Sequence, residues 1–104
     1  MLLQAEIILF LKSIKPELVS DGIYNLGIFG SVAKQTNTQF SDIDIVYETS
    51  QKFIDKHKGW NAFTYLNNHI REKVSKKFNV DVDMFDLNSS STIKNKIKKE
   101  ALYV

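Results

Sequence analysis

The chain has 104 residues, 43% hydrophobic and 25% charged, with a formal net charge of +2. That size suits one domain around one hydrophobic core, and four glycines and one proline leave little for a long linker or disordered tail. The absence of cysteine excludes a disulfide framework and a thiolate metal site and fits a reducing, cytoplasmic setting, while so small a charge argues against nonspecific nucleic-acid binding.

The opening run to Leu11 is apolar, but it lacks a basic leader and carries Glu6. It is also too short to cross a bilayer, so an amphipathic helix is predicted and no membrane segment. Leu3, Ile7, Phe10 and Leu11 place that helix over residues 2–13. Lys15-Pro16 interrupts the pattern, with Pro16 starting a short further turn through Leu18 and Val19. Asp21-Gly22 marks a turn, and residues 23–29 read as the first strand. Gly27 inside it marks a weak point or a close approach to the backbone.

Gly30-Ser31 then ends the strand in a turn small enough for backbone N–H groups to approach a phosphate. Val32, Ala33 and Lys34 suit one or two helical turns, and residues 35–40 read as an exposed polar loop. A second strand spans 42–47, with Ile43, Ile45 and Tyr47 on one face and Asp42, Asp44 and Val46 on the other. Residues 53–78 are helical with a break at Gly59, burying Phe63, Leu66, Ile70 and Val74. Strict alternation over 80–85 predicts a third strand. Asn88, Ser89, Ser90 and Ser91 offer N-caps to a last helix with an apolar stripe of Ile93, Ile97 and Ala101 and solvated lysines. The order implies an α/β (α+β) fold: a small mixed sheet of three or more strands, helices packed on one face, the other face open, in a single domain over residues 1–104.

Aspartate is depleted in strands, yet Asp42, Asp44, Asp81 and Asp83 alternate along two of them. The plain reading is a polar sheet face turned to water. The functional one is a metal site, because magnesium takes hard oxygen ligands from a few carboxylates plus substrate phosphates. Three carboxylates on neighbouring strands can serve two ions about 3.5–4 Å apart, the spacing used in nucleotidyl transfer. His57 and His69 suit surface or partner contacts, and Trp60 a packing or interface role. Ser41 would brace the turn before Asp42.

Gly30-Ser31, a spacer, then Ser41-Asp42-Ile43-Asp44-Ile45 resembles the signature of the DNA-polymerase-β-like nucleotidyltransferase superfamily. Val82-Asp83-Met84-Phe85-Asp86-Leu87 resembles its strand with the third carboxylate, and the short frame resembles the minimal nucleotidyltransferase (MNT) domain. The resemblance implies that Gly30, Ser31 and Lys34 bind the phosphates of ATP. It gives Asp42, Asp44 and Asp83 to two Mg²⁺ ions (Mn²⁺ substituting), with Asp83 as base and Asp81 as the alternative third ligand. Where many members carry arginines after Gly-Ser, this chain has Val32, Ala33, Lys34 and Gln35, so bidentate phosphate gripping is lost. MNT domains are commonly paired with an all-helical HEPN toxin. The implied function is therefore an antitoxin that moves AMP onto a hydroxyl of its partner, or else a non-catalytic module neutralising that partner by binding. Nucleic-acid binding through Lys94, Lys96, Lys98 and Lys99 is a third, weaker reading.

Overall fold

A computed structural model describes residues 2–104. Helix α1 (Gln4–Ser20) leads into β1 (Ile23–Phe29), the short α2 (Gly30–Lys34) and β2 (Ile43–Thr49). Then come α3 (Gln51–Lys56), α4 (Trp60–Leu66), a π-helical turn (Asn67–Arg71) and α5 (Glu72–Phe78). The chain finishes with β3 (Val82–Asp86), α6 (Lys94–Glu100) and the two-residue β4 (Leu102–Tyr103). Strand order is β3-β2-β1-β4, with β2 and β3 parallel and the other pairs antiparallel. This is the expected small mixed sheet, with a fourth strand added at one edge.

The alternation of β2 is realised as read. Ile43, Ile45 and Tyr47 join the main core with Ile7, Leu11 and Leu18 of α1, Leu26 and Ile28 of β1, and Ile70 and Val74 of the helical stretch. Burying each aliphatic side chain of this kind is worth about 1.5–3 kcal/mol. The second face is not simply open. Ile97 of α6 packs there on Val46 and Leu87, with Phe29, Phe85 and Ala101 against them. α6 therefore covers part of the face that carries the aspartates.

Three elements depart from the sequence pattern, each for a packing reason. α1 runs unbroken through Pro16, although proline supplies no N–H to the turn before it. Leu11 and Leu18, both buried, hold the helix on the sheet on either side of it. In the long helical stretch the π turn adds a residue to one turn, so the buried positions become Tyr65, Ile70 and Val74. Phe63 is left 57% exposed, where straight α periodicity would have buried it. Finally, Leu102 pairs with Ile28 and Tyr103 with Gly27, an edge strand too short to show in the sequence. A Cβ on Gly27 would lie 2.5 Å from the Leu102 carbonyl oxygen, so glycine is what admits β4 at this distance.

One polar contact ties three helices together. The Asp21 carboxylate, just past α1, accepts a hydrogen bond from the Tyr65 hydroxyl of α4 at 2.6 Å and pairs with Lys56 of α3. Lys56 and Tyr65 together hold its pKa down to about 2, from an ordinary 3.8. A depressed carboxylate stabilises the fold above its ordinary pKa and loses that contribution as pH falls through the depressed one. Urea unfolding of native protein and Asp21→Asn should therefore show a stability gap that is constant near neutrality. The gap should close as the pH is lowered from about 4 to about 2; a gap independent of pH contradicts this role.

Candidate active site

β1 and β2 are joined in a register that sets Phe29 opposite Asp44, and β2 and β3 in one that sets Asp44 opposite Asp83. Partners across a ladder point to the same side of the sheet, so the Asp44 and Asp83 carboxyls are neighbours on the second face. Asp42 lies two residues before Asp44, ahead of the strand, and is exposed like Asp83; Asp44 is half-buried between them. Burial raises the pKa of Asp44 first, then the charge of Asp83, then that of Asp42, and a carboxyl–carboxyl hydrogen bond with Asp83 adds to it.

The chain turns sharply over this carboxyl. Gly30 has φ +70°, a conformation that costs glycine nothing and strains any residue with a Cβ. A Cβ there would overlap Oδ2 of Asp44 and stand 3.1 Å from its Cγ. The Gly-Ser turn is thus laid directly on the middle aspartate. From it runs α2, whose buried Val32 anchors it to the core. The side-chain amide of Gln4 donates to the Val32 and Ala33 carbonyls at 3.2 and 2.9 Å, tying α2 back to α1. Ser41 Oγ accepts the Thr38 N–H at 2.8 Å, bracing the turn that delivers Asp42.

Two residues read from the sequence sit apart from the cluster. Lys34, at the far end of α2, pairs with Glu100 of α6 at 3.4 Å, with half of its side chain exposed. Asp81 precedes β3; its carbonyl accepts the Ile43 N–H at 3.1 Å, and the residue lines a shallow cleft with Ser75, Asn79 and Val80. It is Asp83 that shares the register of Asp44. Sequence reading had passed over Phe29 and Phe85, whose rings meet edge to face at 6.2 Å on the carboxylate face. The signal was present, since Phe85 follows Asp83 by two residues and Phe29 adjoins Gly30.

Among the described residues, no three His, Cys, Asp or Glu side chains converge tightly enough to make a cage for a metal ion. The donor set itself suits a hard dication. It is all carboxylate oxygen, with Asp44 pushed towards its protonated form by burial and then by its acidic neighbours, and magnesium needs only one or two carboxylates beside substrate phosphates.

The chain matches the family described as Polymerase beta, Nucleotidyltransferase over residues 12–104. No curated protein matches it significantly. Solved structures with the same fold include a toxin–antitoxin complex with AMP-PNP, 22% identical at a TM-score of 0.59, aligned over 88% of this chain and 69% of that one. A mutant of the toxin–antitoxin MntA-HpeT aligns over 98% and 71%, at 22% identity and a TM-score of 0.58. A putative nucleotidyltransferase from Sulfolobus solfataricus aligns over 96% and 80%, with the same identity and score.

Because the raised pKa of Asp44 makes its ionised form costly, its contribution is present at low pH and is lost as pH rises past its ordinary range. Asp44→Asn should thus raise the melting temperature of metal-free protein at pH 7 and do so less at pH 4. Added Mg²⁺ or Mn²⁺ at roughly ten times its Kd should stabilise native protein by about 1.4 kcal/mol, several degrees in Tm, and leave the variant unmoved. Equal cation effects on both proteins contradict the assignment. Gly30→Ala should fold with its β1–α2 turn displaced and lose the cation response, whereas Ser31→Ala should keep it.

The match over nearly the whole chain, on a fold that brings Gly30, Asp44 and Asp83 together, places this protein in the polymerase-β nucleotidyltransferase family.

Proposed function

We propose that the protein is a magnesium-dependent nucleotidyltransferase that moves AMP from ATP onto a hydroxyl of a partner protein, as the antitoxin of a toxin–antitoxin pair. The observation that carries the reading is the Gly30 turn resting on the Asp44 carboxyl, which lays a turn without a Cβ against a carboxylate pair. Toxin–antitoxin complexes among the structures of like fold support the partner, and AMP-PNP in one of them supports an adenine nucleotide. In the MntA-HpeT mutant the two Asp-to-Glu changes are two residues apart, the spacing of Asp42 and Asp44 here. The likeness to MNT domains points to an all-helical HEPN protein as the toxin.

Asp42, Asp44 and Asp83 would hold the cations, which supply positive charge for the triphosphate and acidify the attacking hydroxyl. Gly30 and Ser31 admit the phosphates to the backbone, since neither carries bulk that would hold them off. Asp83, the more exposed of the neighbouring pair, takes the acceptor's proton as its oxygen bonds to the α-phosphorus. The bond from that phosphorus to the bridging oxygen breaks, and pyrophosphate leaves. Lys34 can join the phosphates only by leaving Glu100. That exchange is cheap, because an exposed ion pair is worth at most about 1 kcal/mol.

Incubation with radiolabelled ATP, Mg²⁺ and the cognate helical toxin should label the toxin. Asp42→Asn and Asp44→Asn should each cut the labelling rate by about a hundredfold or more, the scale of losing a key charge-stabilising group. No transfer, or transfer unchanged in the double variant, overturns the catalytic reading. Neutralisation by a double variant that transfers nothing favours the alternative, an antitoxin acting by binding alone.

A further inference from the structure

On the sheet face opposite Asp44, a groove runs between the β2–β3 pair and the helices α3 and α4. It consists of two clefts of about 440 and 210 Å³ that share a wall made by Tyr47 and Leu66. Ile54, Ala62, Phe63 and Met84 add to the apolar lining. Trp60 stands beside it, 82% exposed, its indole edge-on to Phe63 at 5.9 Å. Aromatic surface of this extent next to a cleft is surface that a partner would cover.

Two polar side-chain atoms of the groove are unmatched. His57 Nε2 and Arg71 Nε are both shielded from water without a hydrogen-bond partner, a costly state for a buried polar atom. Arg71 is the only arginine of the chain, and among the described residues its side chain has no ion pair. The π turn carries it, and such turns are less favourable than α-helix and recur at binding sites. Lys58 adds a second cation to the lining, against one acid, Asp86, whose carboxylate already accepts the Asn88 N–H at 2.7 Å. The groove is therefore apolar along its length, with an excess of positive charge and one guanidinium free to take a carboxylate.

We infer that this groove docks an acidic amphipathic helix of a partner protein. The apolar ridge of that helix fills the clefts beside Phe63 and Trp60, and a carboxylate on its flank pairs with Arg71, the usual division of labour when a helix lies in a groove. A partner held there leaves the face with Asp44 and Asp83 uncovered. The inference rests on the groove alone and stands whether or not nucleotide is transferred.

Trp60, the only tryptophan, makes the test specific to this surface. The probe is a tryptophan-free helical peptide with leucines at i, i+3, i+4 and i+7 and glutamates elsewhere, titrated without nucleotide or metal beside a twin with lysines for glutamates. The acidic peptide should shift Trp60 emission to the blue saturably and bind about tenfold tighter than its twin. Arg71→Gln should abolish that preference and Phe63→Ser should weaken binding of the acidic peptide. Lys96→Gln, on remote α6, should change nothing, and far-UV circular dichroism should match the native protein in all three. No saturable shift, equal affinity for both peptides, or indifference to Arg71→Gln overturns the inference. A blue shift that grows with protein concentration in the absence of peptide also overturns it, since a second copy of the chain would then occupy the groove.

Discussion

The close approach of the Gly30 backbone to the Asp44 carboxyl is the constraint on which the rest of the site depends. It can form only if β1 ends one residue before Gly30, if β1 and β2 pair with Phe29 across from Asp44, and if residue 30 has no Cβ. Each condition is met elsewhere in the fold. Ile28 and Ile45, both fully buried and paired with each other, fix the register from the core side. A one-residue slip would send the aspartates into the core and the isoleucines to water. The hydrophobic face of the sheet thus determines where the charged face puts its carboxylates.

The same pairing explains why the carboxylates remain together despite repulsion. Asp83 is brought beside Asp44 by parallel pairing of β2 and β3, whose Val82 and Ile43 lie next to one another in the core. Burial of these neighbours drives the association, and Asp44 responds by holding its proton more tightly. A site assembled in this way stores unfavourable charge that a cation would relieve. If Asp44 holds a cation as proposed, cation binding and metal-free stability are set against one another there.

Much of this was legible in the chain itself. β1 was readable from its apolar run between Asp21-Gly22 and Gly30-Ser31, and the two faces of β2 from strict alternation. What could not be read depends on contacts between distant residues. The continuation of α1 through Pro16 is decided by Leu18 in the core, and the partial cover of the carboxylate face by Ile97 meeting Val46 and Leu87. Tyr65 replaces Phe63 in the core because a π turn adds a residue to the helical count, for which no local signal exists. At the site, the carboxylates and the glycine were visible as a pattern. The resemblance already preferred Asp83 to Asp81, while its place opposite Asp44 follows from register and the pairing of Lys34 with Glu100 from tertiary packing.

The central claim is that Asp42, Asp44 and Asp83, under the Gly30 turn, form a nucleotide–metal site. A crystal grown with Mn²⁺ and a non-hydrolysable ATP analogue addresses it most directly, because manganese can be located by its anomalous scattering. The account predicts manganese bound by the carboxylates of Asp42, Asp44 and Asp83, with the triphosphate lying against Gly30 and Ser31. Manganese at Asp81 in place of Asp83, or nucleotide bound away from Gly30 with no metal at Asp44, would contradict it.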